Sequence, residues 1–145
     1  MVRILLLLLV CAWVEAALAI IPAPPQLAAT GYLLVDAKTG KVLVEKNAEQ
    51  RLPPASLTKI MTSYVAAKEL ARDTISLEDQ VYVSVRAWRM EGSRMFVREG
   101  TKVSLEDLIR GIVIQSGNDA SVVVAEHVAG SEAAFASIMN QYAVQ

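Results

Sequence analysis

Two adjacent prolines, Pro53 and Pro54, separate two kinds of pattern in this chain. Proline cannot donate to a strand ladder, yet its fixed φ suits the start of a helix. Before the pair, residues 31–36 (Gly-Tyr-Leu-Leu-Val-Asp) and 41–46 (Lys-Val-Leu-Val-Glu-Lys) are strand-like. Ala37-Lys38-Thr39-Gly40 between them supplies a hairpin turn. After the pair, apolar residues recur at spacings of three and four. Leu57, Ile60, Met61, Tyr64 and Val65 predict one buried face of a helix running from Ser56 to about Ala71.

Farther along, Val81, Val83 and Val85 alternate like a short strand within an ambiguous stretch, and residues 88–100 are expected to form an irregular loop. Ser104 with Asp107 three residues on resembles a capping box, and Val103 and Leu108 are spaced as its hydrophobic staple. An apolar helix over residues 105–114 then stops at Ser116-Gly117. Asn118 or Asp119 is expected to cap another helix through about Val128, and Ser131 to start a last one.

The amino terminus predicts export. Arg3 precedes an eleven-residue apolar run over residues 4–14, and Ala17-Leu18-Ala19 has the form of a cleavage site. That run is shorter than the roughly 20 residues a spanning helix needs. Residues 1–19 are therefore expected to be a signal peptide, with the working part at 20–145. The formal net charge of −1 is the same with or without that segment, since Arg3 and Glu15 cancel. No charge excess points to nucleic acid or an anionic membrane surface. Cys11 is the single cysteine and falls in the signal, which leaves no disulfide or thiol chemistry. His127 is the single histidine, so no metal and no cofactor are expected. It is predicted to be a solvated helix residue.

Ser56-Leu57-Thr58-Lys59 carries the chemistry. A serine hydroxyl is a weak nucleophile near neutral pH and needs a base beside it. On a helix, residues i and i+3 share a face about 5–6 Å apart at Cβ. Lys59 can thus reach back to the Ser56 oxygen, provided its amine sheds its usual charge. The first turn also offers free amides, including the Ser56 N–H, to an oxyanion. Ser-x-x-Lys alone is common by chance, and Ser56 alone would serve as an N-cap. Ser116-Gly117-Asn118 makes the pattern specific: Ser116 is placed to relay a proton, and the Asn118 amide to hold the Lys59 amine or a substrate carbonyl. Asp119 is read as a cap or network residue, and Met90, Met95, Trp88 and Phe96 as packing for the loop. Arg94 offers charge to an anionic substrate.

Pro54-Ala55-Ser56-Leu57-Thr58-Lys59-Ile60-Met61-Thr62 and Gln115-Ser116-Gly117-Asn118-Asp119-Ala120 resemble the low-molecular-weight penicillin-binding proteins of the D-alanyl-D-alanine carboxypeptidase type. Gly92-Ser93-Arg94-Met95-Phe96 and Met139-Asn140-Gln141-Tyr142 add to the likeness. The resemblance implies an α+β, β-lactamase/transpeptidase-like fold with a helical lobe and an antiparallel sheet. It implies acylation of Ser56 by peptidoglycan stem peptides ending in D-Ala-D-Ala, with Lys59 as proton acceptor and Ser116 as relay. It also implies trapping by β-lactams, and action in the periplasm or on the outer face of the cytoplasmic membrane.

The family also carries a Lys-Thr-Gly strand that binds the substrate carboxylate, and no such strand follows Asn118. The expectation is an amino-terminal part, truncated to the hairpin and helices, that releases D-alanine barely by itself. Any membrane association would need a tail beyond these residues. Alternatives are a serine β-lactamase, a cross-link endopeptidase and a non-catalytic cell-wall module. Ser-Gly-Asn rather than Ser-Asp-Asn at 116–118 argues against the best-known β-lactamase class.

Overall fold

The computed structural model describes residues 23–145, so the expected signal peptide lies outside the described residues. The chain divides into two units, Met1–Leu52 and Pro53–Gln145.

In the first unit, β1 (Tyr32–Val35) pairs antiparallel with β2 (Val42–Lys46), with Tyr32 opposite Lys46 and an irregularity after Leu34. The strands sit within the predicted spans and are slightly shorter. Their turn is closed by the Asp36 carboxylate, whose Oδ1 accepts from the Thr39 amide at 2.7 Å and the Thr39 hydroxyl at 2.6 Å. Gly40 takes the left-handed backbone that closes this turn, with φ of 71°. Lys46 and Asn47 donate to the carbonyls of Ala29 and Thr30, tying the lead-in to β2.

In the second unit, a 3₁₀ turn (Ala55–Leu57) leads into α1 (Thr58–Leu70). Then come β3 (Gln80–Tyr82), the short α2 (Val85–Trp88), β4 (Lys102–Ser104), α3 (Leu105–Gln115), α4 (Asn118–Ala129) and α5 (Glu132–Ala143). Serine hydroxyls start three of these helices: Ser84, Ser104 and Ser131 accept from the amides of Ala87, Asp107 and Ala134. Ser104 also donates to the Asp107 carboxylate at 2.7 Å, so the predicted pair caps α3, and Leu108 is fully buried.

α4 is the central element. It packs against α1, α2, α3, α5 and β3, and buries Asp119, Ala120, Val122, Val123, Val124 and Ala125. A helix apolar on so much of its circumference has to be enclosed. Leu105, Leu108, Val83 and Val123 complete the main core, and Val65, Ala125 and Phe135 form a second cluster toward α5.

Four expectations need correction. The inward face of α1 is Thr62, Val65 and Ala66, whereas Leu57 and Ile60 are 67% and 69% exposed. The small Thr62 and Ala66 side chains allow close packing along that line, so the buried stripe is narrower than periodicity suggests. The expected single hairpin is joined by a second two-stranded sheet, β3–β4, with Val81 opposite Val103. Val81 and Val83 are buried as a strand requires, but Val85 is 45% exposed because Ser84 has already capped α2. At α4 the N-cap is Gly117, without a side-chain cap bond, and Asn118 is the first helical residue.

Candidate active site

Ser56 lies exposed in the 3₁₀ turn, where the Leu57 amide bonds to the Pro54 carbonyl at 3.0 Å. Ala55 reaches a φ of 49°, so the chain bends sharply as it passes from Pro54 into the turn. Lys59 is the second residue of α1. Its Nζ donates to Ser56 Oγ at 3.4 Å and to Asn118 Oδ1 at 2.6 Å. The first contact is near the limit for a hydrogen bond, and the second is short enough to hold the amine. The amine is therefore moored on Asn118 and lies within reach of the serine.

Ser116 ends α3 in the left-handed region, with φ 55° and ψ 40°. This conformation reverses the chain between α3 and α4, and the Gly117 amide returns to the Gly111 carbonyl at 3.1 Å. Ser116 lines one open cleft with Ser56, Lys59, Ile60, Ser63, Ile112 and Val113, of about 390 Å³. Among the described residues its hydroxyl makes no hydrogen bond to Lys59 or Ser56. The structure thus gathers Ser56, Lys59 and Asn118 by direct bonds and places Ser116 on the wall of their cleft.

The Ser56 N–H lies in the 3₁₀ turn that leads into α1, upstream of the first helical turn. Lys59, near the start of α1, bonds to the first residue of α4, so the starts of two helices meet at this amine. Helix N-termini favour negative charge. The hydroxyls of Ser56 and Ser116 and the Lys59 amine line one open cleft, and the amine is held by the Asn118 amide oxygen, a set able to activate an oxygen nucleophile.

Sequence reasoning missed what holds Asn118. Its Nδ2 donates to the Glu91 carbonyl at 2.6 Å, and its backbone amide donates to the Ser93 carbonyl at 2.7 Å. The neighbouring Asp119 is 1% exposed and accepts from the amides of Met95 and Val97 at 3.0 and 3.1 Å. Gly92, whose φ is 83°, was the available signal for a tight approach there.

Other candidates fall outside the cleft. His127 is not a solvated residue: its Nε2 meets Asp79 Oδ2 at 2.9 Å, and both side chains are partly covered. Asp79 is held below its ordinary 3.8 by the Ser76 amide first and the His127 ring second. Met90 and Met95 pack on the core as expected, but Phe96 is 71% exposed and carries the Arg94 guanidinium 4.8 Å from its ring centroid. Lys38-Thr39-Gly40 is a Lys-Thr-Gly triplet, but it forms the hairpin turn rather than a strand. Among the described residues no group of histidine, cysteine and acidic side chains has a metal-binding arrangement.

The sequence family described as D-alanyl-D-alanine carboxypeptidase matches residues 19–145. D-alanyl-D-alanine carboxypeptidase DacC of Escherichia coli is 48% identical over 125 residues, which cover 82% of this chain and 31% of that protein. Among solved structures, penicillin binding protein 5 from Haemophilus influenzae superposes with a TM-score of 0.74 at 43% identity, covering 83% of this chain and 36% of that one. The D-alanyl-D-alanine carboxypeptidase DacD from Francisella tularensis gives 0.73 at 42% identity, covering 84% and 30%. These neighbours carry the expected transpeptidase-like fold. The chain spans about a third of the length of the curated relatives it matches.

Proposed function

Because the chain belongs to the D-alanyl-D-alanine carboxypeptidase family, we propose that it supplies the nucleophile-bearing part of a serine D,D-carboxypeptidase acting on cell-wall peptides. The observation that carries this reading is the bridging Lys59 amine, shared between Ser56 Oγ and Asn118 Oδ1. The substrate is a peptidoglycan stem peptide ending in D-Ala-D-Ala.

In acylation, the Ser56 oxygen attacks the carbonyl of the penultimate D-alanine while its proton passes to the Lys59 amine. The resulting oxyanion is met by backbone amides of the 3₁₀ turn, including that of Ser56. Collapse breaks the C–N bond, and the proton returns to the departing amine of D-alanine with Ser116 as relay. Water then takes the place of the serine hydroxyl, and its attack on the ester frees Ser56 and a peptide shortened by one residue. A β-lactam enters by the same attack, but its leaving nitrogen stays tethered, so the acyl-enzyme persists. Export places these steps in the periplasm or on the outer face of the cytoplasmic membrane.

Incubation with a peptide ending in D-Ala-D-Ala tests this reading. Slow release of one D-alanine per peptide, lost in Ser56→Ala and absent with L-alanine at the terminus, is expected. Release that survives Ser56→Ala overturns it.

A further inference from the structure

An asparagine side chain looks the same to its neighbours in shape whichever way its amide is turned, so only hydrogen bonding decides which atom faces which partner. At Asn118 one partner leaves no choice. The Glu91 carbonyl can only accept, so it requires Nδ2, and Oδ1 is then left facing Lys59. A flipped amide would set two acceptors together at Glu91 and two donors together at Lys59. The orientation of the Lys59 contact is therefore decided by a backbone carbonyl 27 positions before Asn118.

That carbonyl is held by an organised loop. Asn118 and Asp119, adjacent in the first turn of α4, take the alternate residues 91, 93, 95 and 97. Asn118 donates to the carbonyls of Glu91 and Ser93, and Asp119 accepts from the amides of Met95 and Val97. Asp119 Oδ1 also accepts from the Ala120 amide at 2.9 Å, so this buried carboxylate is satisfied by backbone amides alone. The Ser93 hydroxyl donates to the Gln115 carbonyl at the end of α3. Gly92 lies directly against the amide: a Cβ there would stand 2.8 Å from Asn118 Nδ2, and its φ of 83° disfavours any side chain.

We propose that the 91–97 loop, anchored by Asp119 and passing Asn118 at Gly92, is a positioning device that fixes the amide orientation of Asn118 toward Lys59. Asp119 and Gly92 are positioning residues: Asp119 bonds to the amides of Met95, Val97 and Ala120, and Gly92 lies against the Asn118 amide. Where reactivity is the readout, this inference rests on the function proposed above, so a second readout independent of reactivity accompanies it.

The 145-residue chain, Gly92→Ala and Asp119→Asn are compared in two measurements. The first is solvent exchange of the Asn118 side-chain amide protons by ¹⁵N NMR. The second is the rate constant for labelling by a fluorescent penicillin, separated from the fraction labelled and followed across pH. Exchange about tenfold faster in either folded variant is expected, since about one hydrogen bond is lost. Labelling slows by about 10- to 100-fold with the labelled fraction unchanged and the pH profile displaced, as expected for a misplaced catalytic group. Unchanged amide exchange and rate constants in both variants overturn the proposal, as does a fall confined to the labelled fraction. If the unsubstituted chain takes no label, the proposed function fails and the Asn118 exchange rates alone decide the positioning role. Should Asp119→Asn not fold, Gly92→Ala leaves the buried carboxylate in place and carries the test.

Discussion

Lys59 Nζ and Asn118 Oδ1 lie 2.6 Å apart across fifty-nine positions of sequence. The bond joins the first turn of α1 to the first turn of α4, so the amine behind Ser56 is fixed by tertiary structure rather than by its own helix. Lys59→Ala is expected to slow acylation of Ser56 by about 10²- to 10⁴-fold, the usual range for a positioned proton acceptor. Lys59→Arg fails to restore it, because a guanidinium stays charged. Labelling kinetics with a fluorescent penicillin check both.

Asn118→Asp tests the amide itself. The new carboxylate sets an acceptor against the Glu91 carbonyl, where an N–H now donates at 2.6 Å. Acylation is expected to fall by about 10- to 100-fold, because the Glu91 carbonyl loses its donor and a carboxylate beside Lys59 favours the charged form of the amine. Helical content by circular dichroism stays close to that of the unsubstituted chain.

How much of this was legible in the sequence follows from range. The Ser104–Asp107 cap, the Ser131 cap and the hairpin turn rest on neighbours within three residues, and residue type alone reveals them. The meeting of Ser56, Lys59 and Asn118 was legible because its parts are motifs on helix ends. The β3–β4 pair was not, since each strand has three residues and their partners lie some twenty positions apart. The α1 face differs from its apolar stripe because periodicity does not say which of two adjacent stripes is covered. Glu91 and Ser93 act through carbonyls, which every residue has, so no side-chain pattern marks them. His127 looks solvated from sequence because its partner, Asp79, is forty-eight positions away.

The core makes a thermodynamic prediction. Leu108 is fully buried among Val and Leu side chains of the main cluster. Leu108→Ala should lower the unfolding free energy by about 2–5 kcal/mol. Ser104→Ala, which removes only the α3 cap, should cost about 1 kcal/mol. Urea titrations of the two variants give the comparison, and equal losses would contradict the assignment of Ser104 to a cap.

The Asp79–His127 contact makes a pH prediction with a definite sign. The Ser76 amide, and after it the His127 ring, hold the Asp79 carboxyl below 3.8 in the folded protein. A depressed carboxyl pKa adds stability above its unfolded value, and that contribution is lost as pH falls through the folded one. Thermal stability should therefore decline on acidification below about 3.8. Asp79→Asn should flatten this part of the decline while leaving behaviour at neutral pH little changed in slope.

The most direct measurement is the mass of the chain, and of its tryptic peptides, after prolonged incubation with a β-lactam. The account predicts one covalent adduct, confined to the peptide containing Ser56 and abolished in Ser56→Ala. A folded chain that takes no adduct, or takes it on another residue, would contradict it.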